Sequence, residues 1–258
     1  MKRPSRKCAA LVSGAITSAL ILAGCSSSQA TPRTNQVKDV SPALSRYDSD
    51  NVQRLWDDNA ISKRDRGLVT VATLVSSGQS AELGHYVDRA LNDGVTPAEI
   101  SEIITHLAFY TGWQNAMEAV PVVADVFEDH DIDASELPDA TSELLPQDEE
   151  AEAARAKTVQ EQYGGASQGV VDATGEVLFN DLWLRPGLEP RDRSLVTVVA
   201  LIATAQSEQI TFHLGRAMDN GLTRPEVDAV LHHAIYFTGW PKVYTAMPVV
   251  KKVLKSRP

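Results

Sequence analysis

The chain has 258 residues, 43% of them hydrophobic, and a formal charge of −10 at pH 7. That length holds one or two globular domains, and the acidic balance argues against nucleic acid as a partner. There are only two cysteines, Cys8 and Cys25, and both fall in the N-terminal segment.

That segment opens with Lys2, Arg3, Arg6 and Lys7, followed by a mostly apolar run from Cys8 to Ala23. A basic region, a short apolar core and small residues describe a secretory signal over residues 1–24. The run is shorter than the roughly 20 apolar residues of a membrane span. Leu22-Ala23-Gly24-Cys25 resembles a bacterial lipobox, which makes Cys25 the lipidated first residue of the mature chain. The expected location is the bacterial cell envelope, on the periplasmic side of a membrane or the outer surface, with lipid as the contact to the membrane. Removing residues 1–24 takes away four positive charges and leaves a formal −14. The fold then has no thiol, which excludes disulfides, thiolate metal sites and cysteine nucleophiles together.

Residues 25–45, with Ser26-Ser27-Ser28, Pro32 and Pro42, lack helical periodicity and read as a flexible tether. From Tyr47 the chain then says the same thing twice. Leu55-Trp56, Arg64-Asp65-Arg66-x-Leu-Val-Thr-Val71, Arg89-Ala90, Gly94, His106 and Thr111-Gly112-Trp113 all return 127 positions later. This period is too long for a solenoid, so each copy is a small domain: 46–128 and 153–258. Between them, Glu128 to Glu152 carries eleven acids and no Lys or Arg, as in a solvated linker over 129–152 that repels itself into an extended form.

Each copy reads as helical. Leu68, Val69, Ala72 and Val75, and Leu195, Val196, Val199 and Ile202, have the spacing of one buried helix face, predicting helices over 65–76 and 192–203. A second helix is predicted over Ser80–Asn92 and Ser207–Asn220, ending at Gly94 and Gly221. Thr96-x-x-Glu99 and Thr223-x-x-Glu226 are capping boxes that open a third, with Gly112 and Gly239 stopping it. A final helix runs through Met117–Phe127 and Tyr244–Leu254. At about 80 residues, neither copy buries enough apolar surface alone, so pairing of the copies and oligomerisation are expected.

The phrases Arg-Asp-Arg-x-Leu-Val-Thr, Glu-Leu-x-x-x-Val-x-Arg-Ala-Leu-Asn-x-Gly-Val-Thr-Pro-x-Glu-Ile and His-Leu-Ala-Phe-Tyr-Thr-Gly-Trp resemble the carboxymuconolactone decarboxylase family. The resemblance implies an all-α alkylhydroperoxidase D-like fold built from two tandem repeats, and no metal or organic cofactor. Since single-repeat relatives assemble into trimers or hexamers, a homotrimer of this two-copy chain follows. The peroxidase branch of the family uses a Cys-x-x-Cys pair, which is here Gln79-Ser-Ala-Glu82 and Gln206-Ser-Glu-Gln209. No thiolate is available to attack a peroxide. The decarboxylase branch carries Glu-x-x-x-His on one helix face. That pair is split here, with Glu82 followed by Tyr86 in copy one, and Gln209 followed by His213 in copy two. His85 is one residue early, about 100° round the helix.

A decarboxylase of a small carboxylated lactone-like acid needs a donor at the developing enolate oxygen and an acid to reprotonate carbon. His213 and His233 are the proton-transfer candidates, with Glu82 and His106 if copy one also works. Arg64, Arg66, Arg191 and Arg193 are candidates to hold substrate carboxylates, and Tyr110, Trp113, Tyr236 and Trp240 to wall the pocket. Bland readings stand beside these. His106 and His233 adjoin an apolar face and also suit core histidines, and Arg-Asp-Arg at a helix start also suits capping and salt bridging. Trp56 and Trp183 read as core, His130 and His232 as solvated, and His213, His233 and Glu82 have no recognised metal-ligand spacing. The second reading of the whole is a non-catalytic binding or assembly module with degenerate sites.

Overall fold

The computed structural model describes residues 33–257. The signal segment, Cys25 and the first part of the tether lie outside the described residues. The later tether is helical, over Arg33–Val40 and Pro42–Tyr47. It was expected to be irregular because it has no apolar periodicity, and the residues of Pro42–Tyr47 bury nothing. Its turns are closed by local backbone bonds such as Ser41 N–H to the Val37 carbonyl at 2.7 Å. No described helix is long and apolar enough to cross a membrane.

Residues 47–258 form one compact unit that contains both copies. Copy one consists of α1 (Lys63–Ser76), α2 (Ser80–Asn92), α3 (Pro97–Thr111) and α4 (Trp113–Asp129). After the linker come α5 (Glu149–Tyr163) and then copy two, with α6 (Pro190–Ala203), α7 (Ile210–Asp219), α8 (Arg224–Thr238) and α9 (Trp240–Ser256). No strand occurs among the described residues. Local chemistry explains the boundaries. Ser62 caps α1 by accepting from Asp65 N–H, while α6 opens on Pro190 with no side-chain cap. Both predicted capping boxes form, Thr96 with Glu99 and Thr223 with Glu226. Gly94 and Gly221 follow α2 and α7 with φ of 97° and 104°, where any side chain would be strained. The second helix of copy two is shorter than its counterpart, because Ser207–Gln209 forms a tighter turn before α7 begins.

The core is shared. The apolar residues of α1 and α6 are almost wholly buried, and the two helices pack on each other. In addition, α8 of copy two packs on α1, and α3 of copy one packs on α6. Neither copy would be dry on that side alone. The linker also differs from the solvated chain that its charge predicts. Leu145 N–H donates to the Leu184 carbonyl at 2.7 Å, Gln147 Nε2 to the Phe179 carbonyl at 3.1 Å, and Arg185 to the carbonyls of Asp139 and Ala140. Backbone and amide bonds of this kind are invisible to a charge count.

Candidate active site

The exchange of helices creates two reciprocal polar clusters, each assembled from both copies. In the first, His233 on α8 meets Arg66 and Thr70 on α1; in the second, His106 on α3 meets Arg193 and Thr197 on α6. The distances match: His233 Nε2 lies 2.7 Å from Thr70 Oγ1 and Nδ1 3.5 Å from Arg66 Nη1, while His106 Nε2 lies 2.7 Å from Thr197 Oγ1 and Nδ1 3.4 Å from Arg193 Nη1. Arginine can only donate, so each Nδ1 accepts, and a neutral ring then carries its proton on Nε2. Thr197 donates to the Arg193 carbonyl at 2.8 Å, so its oxygen is left to accept from His106. Burial pulls His233 down to about 3 and His106 well below its ordinary value, with the neighbouring arginine charges adding to the effect. Both histidines are fully buried, with both nitrogens engaged.

The arginines are used internally. Arg193 Nη2 donates to Glu102 at 2.9 Å and to the Arg185 carbonyl at 2.8 Å; Arg66 Nη2 donates to the Asp58 carbonyl at 2.7 Å. Glu102, buried between Arg193 and Arg185, corresponds to Ala229 in copy two. Arg64 and Arg191 cross between the copies. Arg64 reaches Asp192 at 2.6 Å and Glu99, and Arg191 reaches Asp65 at 2.8 Å, Asp192 at 2.7 Å and Glu226 at 2.8 Å. The Arg-Asp-Arg phrases therefore tie one copy to the other, and none of the four arginines presents a guanidinium without an acceptor.

His213 is placed differently. It lies in the His106 cluster, away from the Arg66, Thr70 and Trp56 surroundings of His233, so the pairing of His213 with His233 expected from sequence does not form. Its ring stacks on Trp183 at 5.7 Å and meets Tyr110 edge-on at 5.3 Å. It is 93% buried by its 7% exposure, and Nδ1 has no hydrogen-bond partner among the described residues. Burial, and secondarily Arg216, lower it to about 4, so the resting ring is neutral at pH 7 rather than poised there. Tyr110 accepts from Trp183 Nε1 at 2.9 Å, which leaves its O–H able to donate. Burial raises its pKa.

The equivalents in copy one are apolar or closed. Tyr86 stands where His213 does and packs on Trp56 and Phe237; Phe237 stands where Tyr110 does, and Trp56 Nε1 has no acceptor among the described residues. His85 is exposed and Glu82 half-buried, so neither occupies the place of His213. Trp113 and Trp240 stand on the surface. They are 62% and 48% exposed, each packed edge-on against a neighbour, Phe109 and Tyr236. Trp56 and Trp183 are core, as expected, and His232 is exposed; His130 bonds Asp88 at 2.8 Å on the surface.

Beside the second cluster lies a cavity of about 660 Å³. Its walls come from the linker end, α5, the Phe179–Leu184 segment and α7, including Gln147, Arg155, Trp183, Phe212 and Arg216. His213 sits one layer behind, on the same turn of α7 as Phe212 and Arg216. Sequence reasoning missed Thr70 and Thr197, Glu102 and Arg216. The threonines and Arg216 do recur at the 127-residue period, but that signal could not say across which interface they act.

These features define an all-helical tandem protein with interleaved copies and one buried histidine beside a cavity. The model of the carboxymuconolactone decarboxylase family matches residues 42–125 and 168–252, and the chain belongs to that family. Among similar curated proteins, the 4-carboxymuconolactone decarboxylase of Acinetobacter baylyi is 32% identical over 78 residues, which is 30% of this chain and 58% of that one. The nitrosuccinic acid decarboxylase of Metarhizium robertsii is 36% identical over 82 residues, 31% of this chain and 57% of that one. The chain thus spans little more than half the length of either relative. A crystal structure from Burkholderia xenovorans assigned as a gamma-carboxymuconolactone decarboxylase subunit superposes with a TM-score of 0.52 at 18% identity, covering 89% of this chain and 93% of that one. That likeness concerns the fold.

Proposed function

We propose that this chain is a carboxy-lyase of a small carboxylated, lactone-like acid, working at the cell envelope through the copy-two site alone. The observation that carries this reading is His213, a buried imidazole with an unpartnered Nδ1 beside the free O–H of Tyr110, in a family whose curated relatives include two decarboxylases. Loss of carbon dioxide leaves an electron pair that flows into the lactone enoate, and this needs no redox centre. Tyr110, held protonated by burial, donates to the enolate oxygen. Carbon then needs a proton. His213 is neutral at rest, and an anionic substrate beside it favours the imidazolium. The ring takes up a solvent proton with the substrate, passes it to carbon as the enolate collapses, and ends neutral again. Access to it lies past Phe212 and Trp183 at the cavity wall.

The test is carbon dioxide release from 4-carboxymuconolactone and from nitrosuccinic acid, together with proton uptake on binding, measured calorimetrically in buffers of different ionisation enthalpy. No release from either acid or from close analogues by folded protein would sink the lyase reading. Copy one supports the second reading for its own half: Tyr86 and Phe237 fill its site, leaving the reciprocal His, Arg and Thr contacts as assembly.

Assembly as a homotrimer belongs to the same proposal. It is supported by exposed apolar stripes at matching places in the two copies, Trp113, Met117 and Val120 in one, and Trp240, Tyr244 and Met247 in the other. A monodisperse monomer at micromolar concentration in light scattering would overturn it. Attachment through Cys25 is supported by the lipobox, and a Cys25→Ser chain should stay unacylated as a precursor in mass spectra.

A further inference from the structure

Arg89 and Arg216 occupy the same place on α2 and α7, and each lies over the tryptophan of its cluster, at 3.8 Å from the Trp56 ring and 4.3 Å from the Trp183 ring. Their surroundings differ. Arg89 has two acceptors, Asp93 at 3.6 Å and Gln53 Oε1 at 3.3 Å. In copy two these become Asn220 and Asn180, and both are turned to other work. Asn220 donates to the Pro190 carbonyl at 3.2 Å and to Ser194 Oγ at 3.0 Å, and Asn180 Oδ1 accepts from Gln147 at 3.1 Å. Arg216 is left with no hydrogen bond or ion pair among the described residues.

The same arginine lines the 660 Å³ cavity. The other two cationic side chains of that wall are neutralised locally, Arg155 by Glu152 through bonds of 2.7 and 2.5 Å, and Arg257 by Asp219. Of the nearby acids, Asp148 is committed to capping α5 at the Ala151 N–H. Burial opposes the charge of Arg216; Tyr110 and Glu152 favour it and Arg155 opposes it, all without a hydrogen bond or ion pair to it among the described residues, and a half-buried guanidinium without a direct acceptor is costly unless an anion completes it. Its planar fork matches a carboxylate.

We propose that Arg216 is the carboxylate-anchoring residue of this chain, and that Asp93 and Gln53 close the equivalent position at Arg89, so that a chain with two copies has one anion subsite. This rests on the lyase reading for its purpose, since an anchored carboxylate would hold a small acid beside His213, but not for its test. The anchor is a positioning residue; the proton and the enolate oxygen belong to His213 and Tyr110.

Binding of succinate, with the neutral succinamide as control, separates the subsite from turnover. Isothermal titration of the full chain should give one succinate per chain, weakened by added salt, and no binding of succinamide. Arg216→Met, which removes the guanidinium but leaves a long apolar side chain at that position, should weaken succinate about 10- to 100-fold. Asn220→Asp restores the acid of copy one four residues after Arg216 and should weaken it in the same direction with the arginine intact. Asp93→Asn combined with Gln53→Asn should raise the stoichiometry toward two. No succinate binding by the wild type, two sites per chain, or an affinity unchanged within twofold in both Arg216→Met and Asn220→Asp would overturn the assignment. Succinate binding in a protein that releases no carbon dioxide would leave Arg216 standing and defeat only the lyase reading.

Discussion

Trp56 and Trp183 sit at the same place in the two copies, yet the indole N–H of Trp183 donates to Tyr110 while that of Trp56 has no acceptor among the described residues. Around the first are Tyr86, Phe237 and an arginine closed by its own acid; around the second are His213, Tyr110 and an arginine left open. The reciprocal His, Arg and Thr contacts are kept in both. The contrast teaches that two demands were superposed on one ancestral pattern. Contacts that join the copies must persist in both clusters, because each cluster is built from both copies. Groups that face a ligand need persist in one.

Acid should act on the comparison most strongly. His213 and His233 have folded values of about 4 and about 3, against about 6.5 in the unfolded chain. The unfolded state therefore binds more protons between these values, and stability is full above pH 6.5 and falls as the pH drops toward 4. Each histidine should cost about 3 kcal/mol by pH 4. His106 is held neutral by burial in the same way, so His213→Gln and His233→Gln should each flatten the pH dependence of urea unfolding by about a third of the histidine share. An equal slope in wild type and both variants would show that neither ring is held neutral by the fold.

Next is the pair that exists in one cluster only. Arg193→Met leaves Glu102 buried and partly unpaired, and should cost about 3–5 kcal/mol. Arg66→Met should cost less, because the facing Asp58 carboxylate is 3.7 Å away and 42% exposed. Equal losses in denaturant titrations would erase the asymmetry.

In turnover, His213→Gln should lower any lyase rate by roughly 10²-fold or more, as expected for a lost general acid. His85→Gln, on the exposed face of α2, should leave the rate within twofold. Parallel losses would place the chemistry in copy one as well. The smallest effect belongs to Phe237→Tyr, which offers Trp56 Nε1 the acceptor that Tyr110 gives Trp183. It should gain about 1 kcal/mol in thermal unfolding if the hydroxyl fits, and a loss would mean that this packing no longer has room for it.

Much of the fold was legible in the residues. Thr96 with Glu99, Thr223 with Glu226, and the glycines after α2 and α7 act within a few residues, so their chemistry survives in a linear reading. The 127-residue repeat likewise showed two like copies, and Gln79 and Gln206 stand where the peroxidase branch of the family carries its first cysteine. His213 was singled out because Tyr86 differs from it at the same place in the repeat. Its partner was misjudged. His233 was taken for a neighbour because it follows on the next helix, but α8 packs on α1 and carries His233 into the other cluster.

What the sequence determined by itself is the four helices of each copy, their duplication and the family, since these rest on short-range bonds and on patterns counted along the chain. Only the tertiary structure decided that each polar cluster takes half its residues from either copy, that Arg64 and Arg191 are spent on Asp192 and Asp65, and that Arg216 has no acceptor among the described residues. Whether a charge is satisfied depends on what lies within about 4 Å of it, and residues more than a hundred positions apart come that close through packing, which periodicity does not encode.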